Sequence, residues 1–182
     1  MMEKSRLRER FEKKVIPALK KELGIANAHA LPHLSKVVLN VGIGQSARDP
    51  KLAENVIHTM ERISGQKPII TKARKSISNF KIRKGMGIGV KVTLRGRRMY
   101  DILDKLVNVA LPRVRDFQGL TSASFDSQGN YTIAFKEHNV FPEISADTME
   151  TLHGLEVTVC TAASKKQEAA ALLKHLGFPF RS

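Results

Sequence analysis

The chain has 182 residues and a net charge of +14; with 42% hydrophobic residues, 5% aromatic and no Trp, it can bury one aliphatic core and is not a disordered polymer. Its one cysteine, Cys160, excludes a disulfide framework and every multi-cysteine zinc or iron–sulfur arrangement, fits a reducing compartment, and sits in an apolar run that predicts a core position. No apolar run approaches the ~20 residues needed to span a bilayer, and Glu3, Glu9 and Glu12 in a start dense with both signs of charge argue against a signal or transit peptide, so the cytoplasm is the expected location.

Leu7, Phe11, Val15, Ala18 and Leu19 recur at helical spacing, which predicts a first helix that bends at Pro17 and ends at Gly24. From Lys36 the period becomes two. Val37, Leu39, Val41 and Ile43 share one face of a strand, and Lys36, Val38, Asn40 and Gly42 the other. After Asp49-Pro50, Leu52, Val56, Met60 and Ile63 restore a helical stripe closed by Ser64-Gly65, ahead of a short strand around Ile69 and Ile70.

Residues 71–86 keep no period and read as a long basic loop. Residues 88–95 alternate again: Ile88, Val90, Val92 and Leu94 face inward, while Gly89, Lys91, Thr93 and Arg95 face out. Met99, Ile102, Leu103, Leu106, Val107 and Ala110 form another helical stripe, stopped at Pro112. Strands at Tyr131 to Lys136 and Leu155 to Thr161 follow turn signals, and a last helix from Ser164 to His175 ends at Gly177. The expected fold is a two-layer α+β domain, residues 1–182, with a largely antiparallel sheet, helices on one face and the loop at 71–86 as an extension. Its uncovered sheet face would be a platform for RNA.

The charge is not spread evenly. From Arg62 to Tyr100, thirty-nine residues hold twelve Lys and Arg and no acid, leaving nineteen bases against seventeen acids elsewhere. Such a run repels itself without a counter-charge, so a polyanion is the expected partner. A membrane surface fits poorly, because the stretch alternates as a strand and offers no basic amphipathic helix. RNA fits better than DNA, since no helix-turn-helix or zinc-finger pattern supplies a major-groove reader.

Catalytic and cofactor signals are weak. Gly85-Met86-Gly87-Ile88-Gly89 follows a loop and has Val90 where a dinucleotide fingerprint needs its last glycine; Gly42-Ile43-Gly44 lacks the lysine of a phosphate loop. His29 and His33 are separated by Leu31-Pro32 and cannot share a helical face, so no metal is expected. Within the basic stretch, Lys72, Arg74, Lys75, Lys81, Arg83 and Lys84 suit phosphates, which bind tightly at low salt but carry little sequence information. Asn40, Gln66 and Thr93 are neutral donors and acceptors suited to bases or ribose hydroxyls. Phe80 either stacks on a nucleotide or anchors the loop to its own domain.

Ile63-Ser64-Gly65-Gln66-Lys67-Pro68, continued by Thr71-Lys72-Ala73-Arg74-Lys75-Ser76-Ile77-Ser78-Asn79-Phe80-Lys81-Ile82-Arg83, closely resembles the bacterial-type family of large-subunit ribosomal protein five. The resemblance extends to Lys36-Val37-Val38-Leu39-Asn40-Val41-Gly42-Ile43-Gly44 and to Gly177-Phe178-Pro179-Phe180, and so covers essentially the whole chain. It implies a structural ribosomal protein, without catalysis, cofactor or small-molecule substrate, that binds 5S rRNA and helps attach it to large-subunit rRNA in the central protuberance. It places the RNA against the open sheet face, with Asn40, Gln66 and Thr93 as contacts, Lys36, Lys91 and Arg95 beside them, and Arg10, Lys13 and Lys14 on the first helix. The loop, through Lys72, Arg74, Lys75, Ser76, Ser78, Asn79, Phe80, Lys81, Arg83 and Lys84, resembles the one that reaches peptidyl-site tRNA. Family members also bridge to small-subunit protein thirteen, a contact the resemblance assigns to no residue here. From the residues alone, an RNA-modifying or processing enzyme docking through the same basic surface stays open.

Overall fold

The structure, a computed structural model, describes residues 5–44, 50–144, 152–163 and 165–181. Its helices are α1 (Arg6–Arg10), α2 (Ile16–Leu23), α3 (Pro50–Ser64), α4 (Gly96–Lys105) and α5 (Lys166–Leu176); its strands are β1 (Leu34–Gly42), β2 (Ile69–Lys72), β3 (Gly87–Leu94), β4 (Tyr131–Phe135) and β5 (Leu155–Thr161). Asp49, which precedes one expected helix, and Ser164, the expected start of the last, lie outside the described residues. The strands form an open antiparallel sheet in the order β2-β3-β1-β5-β4, and the fold is the expected two-layer α+β. Among the described residues no helix is long and apolar enough to cross a membrane.

A π turn, Phe11–Val15, joins α1 to α2 as one continuous helix, and a second, Leu106–Ala110, extends α4. Each lies just ahead of a proline, Pro17 or Pro112. A proline lacks its own N–H and its ring crowds the carbonyl four residues earlier, and a wider turn absorbs that mismatch. The disturbance expected at Pro17 therefore takes the form of a change in winding. At Pro112 the helix tightens into a final 3-10 turn, Leu111–Arg113, and stops.

The chain gathers into two compact units. The first comprises Met1–Val37, Leu94–Ile133 and Thr158–Ser182. In it α1 packs on α4 and α2 on α5, and Leu7, Val15, Leu19, Leu103, Leu106, Leu172 and Leu173 are buried. Each such side chain contributes about 1.5 to 3 kcal/mol relative to exposure. Gly177 closes α5 at φ 99°, a left-handed conformation that demands glycine, and the Arg10 guanidinium lies close beside it.

The second unit comprises Val38–Thr93 and Ala134–Val157. Val56, Met60 and Ile63 from α3 are buried there, as are Leu39 and Val41 from β1, Val90 and Val92 from β3, and Phe141. Sequence alternation thus identified the inward faces of β1 and β3. On β5 the inward residues are Leu155, Val157 and Val159. Cys160 consequently falls on the opposite side, half-buried, and not in the core where the apolar run placed it. A strand's period of two outweighs the apolar character of the surrounding segment.

Candidate nucleic-acid interface

The outward residues of the second unit build the site. β1 is buried at Leu39 and Val41, so Asn40 between them is turned to the open side, half-buried. β3 turns out Lys91, exposed, and Thr93, half-buried. β2 pairs antiparallel with β3, setting Ile69 opposite Lys91 and Thr71 opposite Gly89. Gly89 has no room for a side chain: a Cβ would lie 2.8 Å from the Thr71 hydroxyl and 3.1 Å from the Val41 carbonyl.

Gln66 reaches β3 from the end of α3. The helix closes with Ser64, whose hydroxyl donates to the Met60 carbonyl at 2.6 Å, and with Gly65 at φ 64°. The chain reverses there, and the Gln66 Nε2 donates to the Thr93 carbonyl at 3.2 Å. Gln66 and Thr93 are therefore one hydrogen-bonded pair. Asn40 is also held: its Nδ2 donates to Glu156 Oε2 on β5 at 3.3 Å. Sequence reasoning missed Glu156, although the inward Leu155 and Val157 on either side of it were signal enough to place it outward.

Residues 71–86, expected to be irregular, are instead stitched by antiparallel main-chain hydrogen bonds. The Ala73 N–H donates to Met86 at 2.8 Å and the Gly85 N–H to Ala73 at 2.9 Å; Ile77 and Ile82 exchange bonds of 2.9 and 3.1 Å. A turn at the tip carries a bond from the Lys81 N–H to the Ser78 carbonyl, 2.9 Å, with Lys81 at φ 53°. The Ser76 hydroxyl accepts from the Lys84 N–H at 2.9 Å, bracing the base of the tip. The segment is a long hairpin continuing β2 and β3. Arg74, Lys75, Ser78, Asn79, Lys81, Arg83 and Lys84 are exposed, as is Lys72 at its root. Phe80 is 72% exposed. An anchor would be buried, so of its two readings the free aromatic face remains.

The other expected contacts lie in the first unit. Lys36 on β1 and Arg95 beyond β3 both act on the Cys160 thiol; burial pushes that thiol's pKa up, and the two cations draw it back. On the first helix, Lys13 pairs with Glu9 at 3.1 Å, Lys14 is exposed, and Arg10 lies against the end of α5 near Gly177. Lys13 thus has a partner within the protein, and its charge is partly spent there. Among the described residues no group of three His, Cys, Asp or Glu is placed to hold a metal ion.

Residues 27–83 match the family described as "Ribosomal protein L5", and residues 87–180 match the C-terminus of the same ribosomal family. The chain belongs to the ribosomal protein L5 family. Similar proteins named "Large ribosomal subunit protein uL5" occur in Caldanaerobacter subterraneus subsp. tengcongensis, 53% identical over 97% of this chain and 98% of the relative, and in Mycoplasma capricolum, 50% identical over 97% and 98%. The one from Thermotoga maritima is 51% identical over 96% of this chain and 95% of its own. These are ribosomal proteins of a family without catalytic activity, so the enzyme alternative falls. The resemblance carried by residues 36–44, 63–83 and 177–180 holds across both halves of the family.

Proposed function

We propose that the protein, a large-subunit constituent of the cytoplasmic ribosome by family, binds 5S rRNA through the open sheet face and helps attach it to large-subunit rRNA in the central protuberance. The observation that carries this is the grouping of Asn40, Lys91 and Thr93 on the outward side of one unit, with Gln66 bonded to the Thr93 carbonyl, at the root of a hairpin without acids. Lys91 supplies attraction to the backbone; Asn40, Gln66 and Thr93 supply hydrogen bonds that discriminate. Lys36, Arg95, Arg10, Lys13 and Lys14, in the first unit, are proposed as phosphate ligands in their own right. The whole chain is read as one RNA-binding domain with the hairpin as its extension.

The hairpin itself is proposed to touch peptidyl-site tRNA through Lys72, Arg74, Lys75, Ser78, Asn79, Phe80, Lys81, Arg83 and Lys84, with Ser76 bracing the tip. Exposed cations and one exposed aromatic ring bind any RNA that arrives and release it readily. A bridge to small-subunit protein thirteen is proposed on the family resemblance, without residue assignment.

The deciding experiment is a salt titration of binding to 5S rRNA beside a tRNA, with wild type, Asn40→Ala and Thr93→Ala. Selective 5S binding that survives moderate salt, and a loss of about 1 to 3 kcal/mol in each variant, supports recognition through the sheet. Equal binding of both RNAs, collapsing with salt and indifferent to both changes, would leave only a basic surface.

A further inference from the structure

Glu156 is out of keeping with its surroundings. The outward positions of the second unit are Val38, Asn40 and Gly42 on β1, Gly89, Lys91 and Thr93 on β3, Ile69 and Thr71 on β2, and Ala134 on β4. Among these described residues Glu156 is the one acid, exposed on β5, the strand beside β1. If the face bound only phosphates, an acid at this point would weaken it by repulsion. Its partner suggests a different use.

The Glu156 carboxylate accepts from the Asn40 Nδ2 at 3.3 Å. An amide beside a carboxylate has one stable orientation, because turning it over would set oxygen against oxygen. The Asn40 Oδ1 is therefore directed away from Glu156, and this point of the surface offers acceptors: the amide oxygen and the second carboxylate oxygen. Acceptors bind N–H and O–H groups. RNA carries these on base edges and on the ribose 2′-hydroxyl, whereas phosphate at neutral pH offers only acceptors of its own.

We propose that Glu156 is a specificity-determining residue: it fixes the Asn40 amide and makes the centre of the sheet face accept a base or ribose donor of the RNA while excluding phosphate. This rests on the reading of that face as the 5S rRNA site. Lys91 holds the backbone from β3, and the Asn40–Glu156 pair reads the base or ribose.

The test compares binding of 5S rRNA and of tRNA by wild type, Glu156→Gln, Asn40→Ala and the double variant, with thermal melting as a check on folding. The expected result is that Glu156→Gln weakens 5S binding about tenfold while tRNA binding holds or tightens, and that the same change has little effect once Asn40 is Ala. Tightening of both RNAs in step would overturn the proposal, since Glu156 would then be only a charge. Unchanged 5S binding in Glu156→Gln, with Asn40→Ala still weakened, would overturn it and leave the sheet-face site standing. Should Asn40→Ala bind like wild type, the sheet-face site itself fails, and this inference with it. Repeating the comparison with 2′-deoxy-substituted 5S chains separates the donors: an effect of Glu156→Gln that vanishes assigns the ribose hydroxyl, and one that persists assigns a base.

Discussion

The Gln66 side chain spans 27 residues of sequence to donate from Nε2 to the main-chain carbonyl of Thr93, 3.2 Å away. This bond ties the end of α3 to β3 and sets two expected RNA contacts side by side. Gln66→Ala should lose it and lower stability by about 1 kcal/mol, the usual net worth of such a bond. Gln66→Glu should cost more, because a carboxylate cannot donate to a carbonyl. Urea denaturation measures both; wild-type stability in both variants would show that the bond is dispensable.

Replacing residues 76–83 by an Asn-Gly turn should spare 5S binding, since the face contacts lie outside the hairpin tip. The Ile77 and Ile82 exchange and the Lys81–Ser78 bond are internal to the tip, and the bonds it makes outside itself, from Lys84 and Met86, stay within the hairpin. Affinity for tRNA should fall, and its salt dependence should become shallower by roughly the number of lost phosphate contacts. Loss of 5S binding in a protein that melts normally would reassign the tip to the 5S site.

Gly89→Ala should destabilise the β2–β3 edge. Its Cβ would sit 2.8 Å from the Thr71 hydroxyl and 3.1 Å from the Val41 carbonyl, and the second of these is backbone that cannot rotate aside. Overpacking of this kind costs about 1 to 3 kcal/mol. Adding Thr71→Ala should restore only part of the loss in melting temperature. Full rescue would mean the backbone gives way.

His138 and His153 stack with ring centroids 4.0 Å apart at 13°. His138 is 2% exposed, and among the described residues the His153 Nε2 is buried with no hydrogen-bond partner. Burial lowers the pKa of His153 below 6.5; the Gly154 carbonyl opposes that shift and the neighbouring His138 adds to it. A depressed folded-state pKa means the neutral ring is the stable one, so stability is full above 6.5 and falls as the pH drops toward the folded value. His153→Phe should flatten that part of the stability profile, and denaturation from about pH 7.5 down to about pH 5 reads it directly. A profile that keeps its slope in the variant would assign the dependence to another group.

Much of the fold was legible because periodicity is a direct record of burial. Val37, Leu39 and Val41 alternate because one side of β1 is dry, and Val56, Met60 and Ile63 recur because one side of α3 is. The hairpin at 71–86 escaped because nothing in it is buried except Ala73 and its cross-strand pairing is main chain, which leaves little mark on side-chain chemistry. Cys160 was misplaced for a related reason: its neighbours are apolar, and only the register of β5 says which side it takes.

By itself, then, the sequence determined the helices, the inward faces of β1 and β3, the acid-free basic segment and the family, all properties of residues close together in the chain. Tertiary structure alone decided the pairings: Asn40 with Glu156, 116 residues apart, and Gln66 with Thr93. Local propensity carries no information about which distant strand lies alongside, because strand order and register are set by how the whole sheet buries its inner face. The candidate site's polarity was therefore readable as composition, whereas the direction in which its amide groups point belongs to the fold.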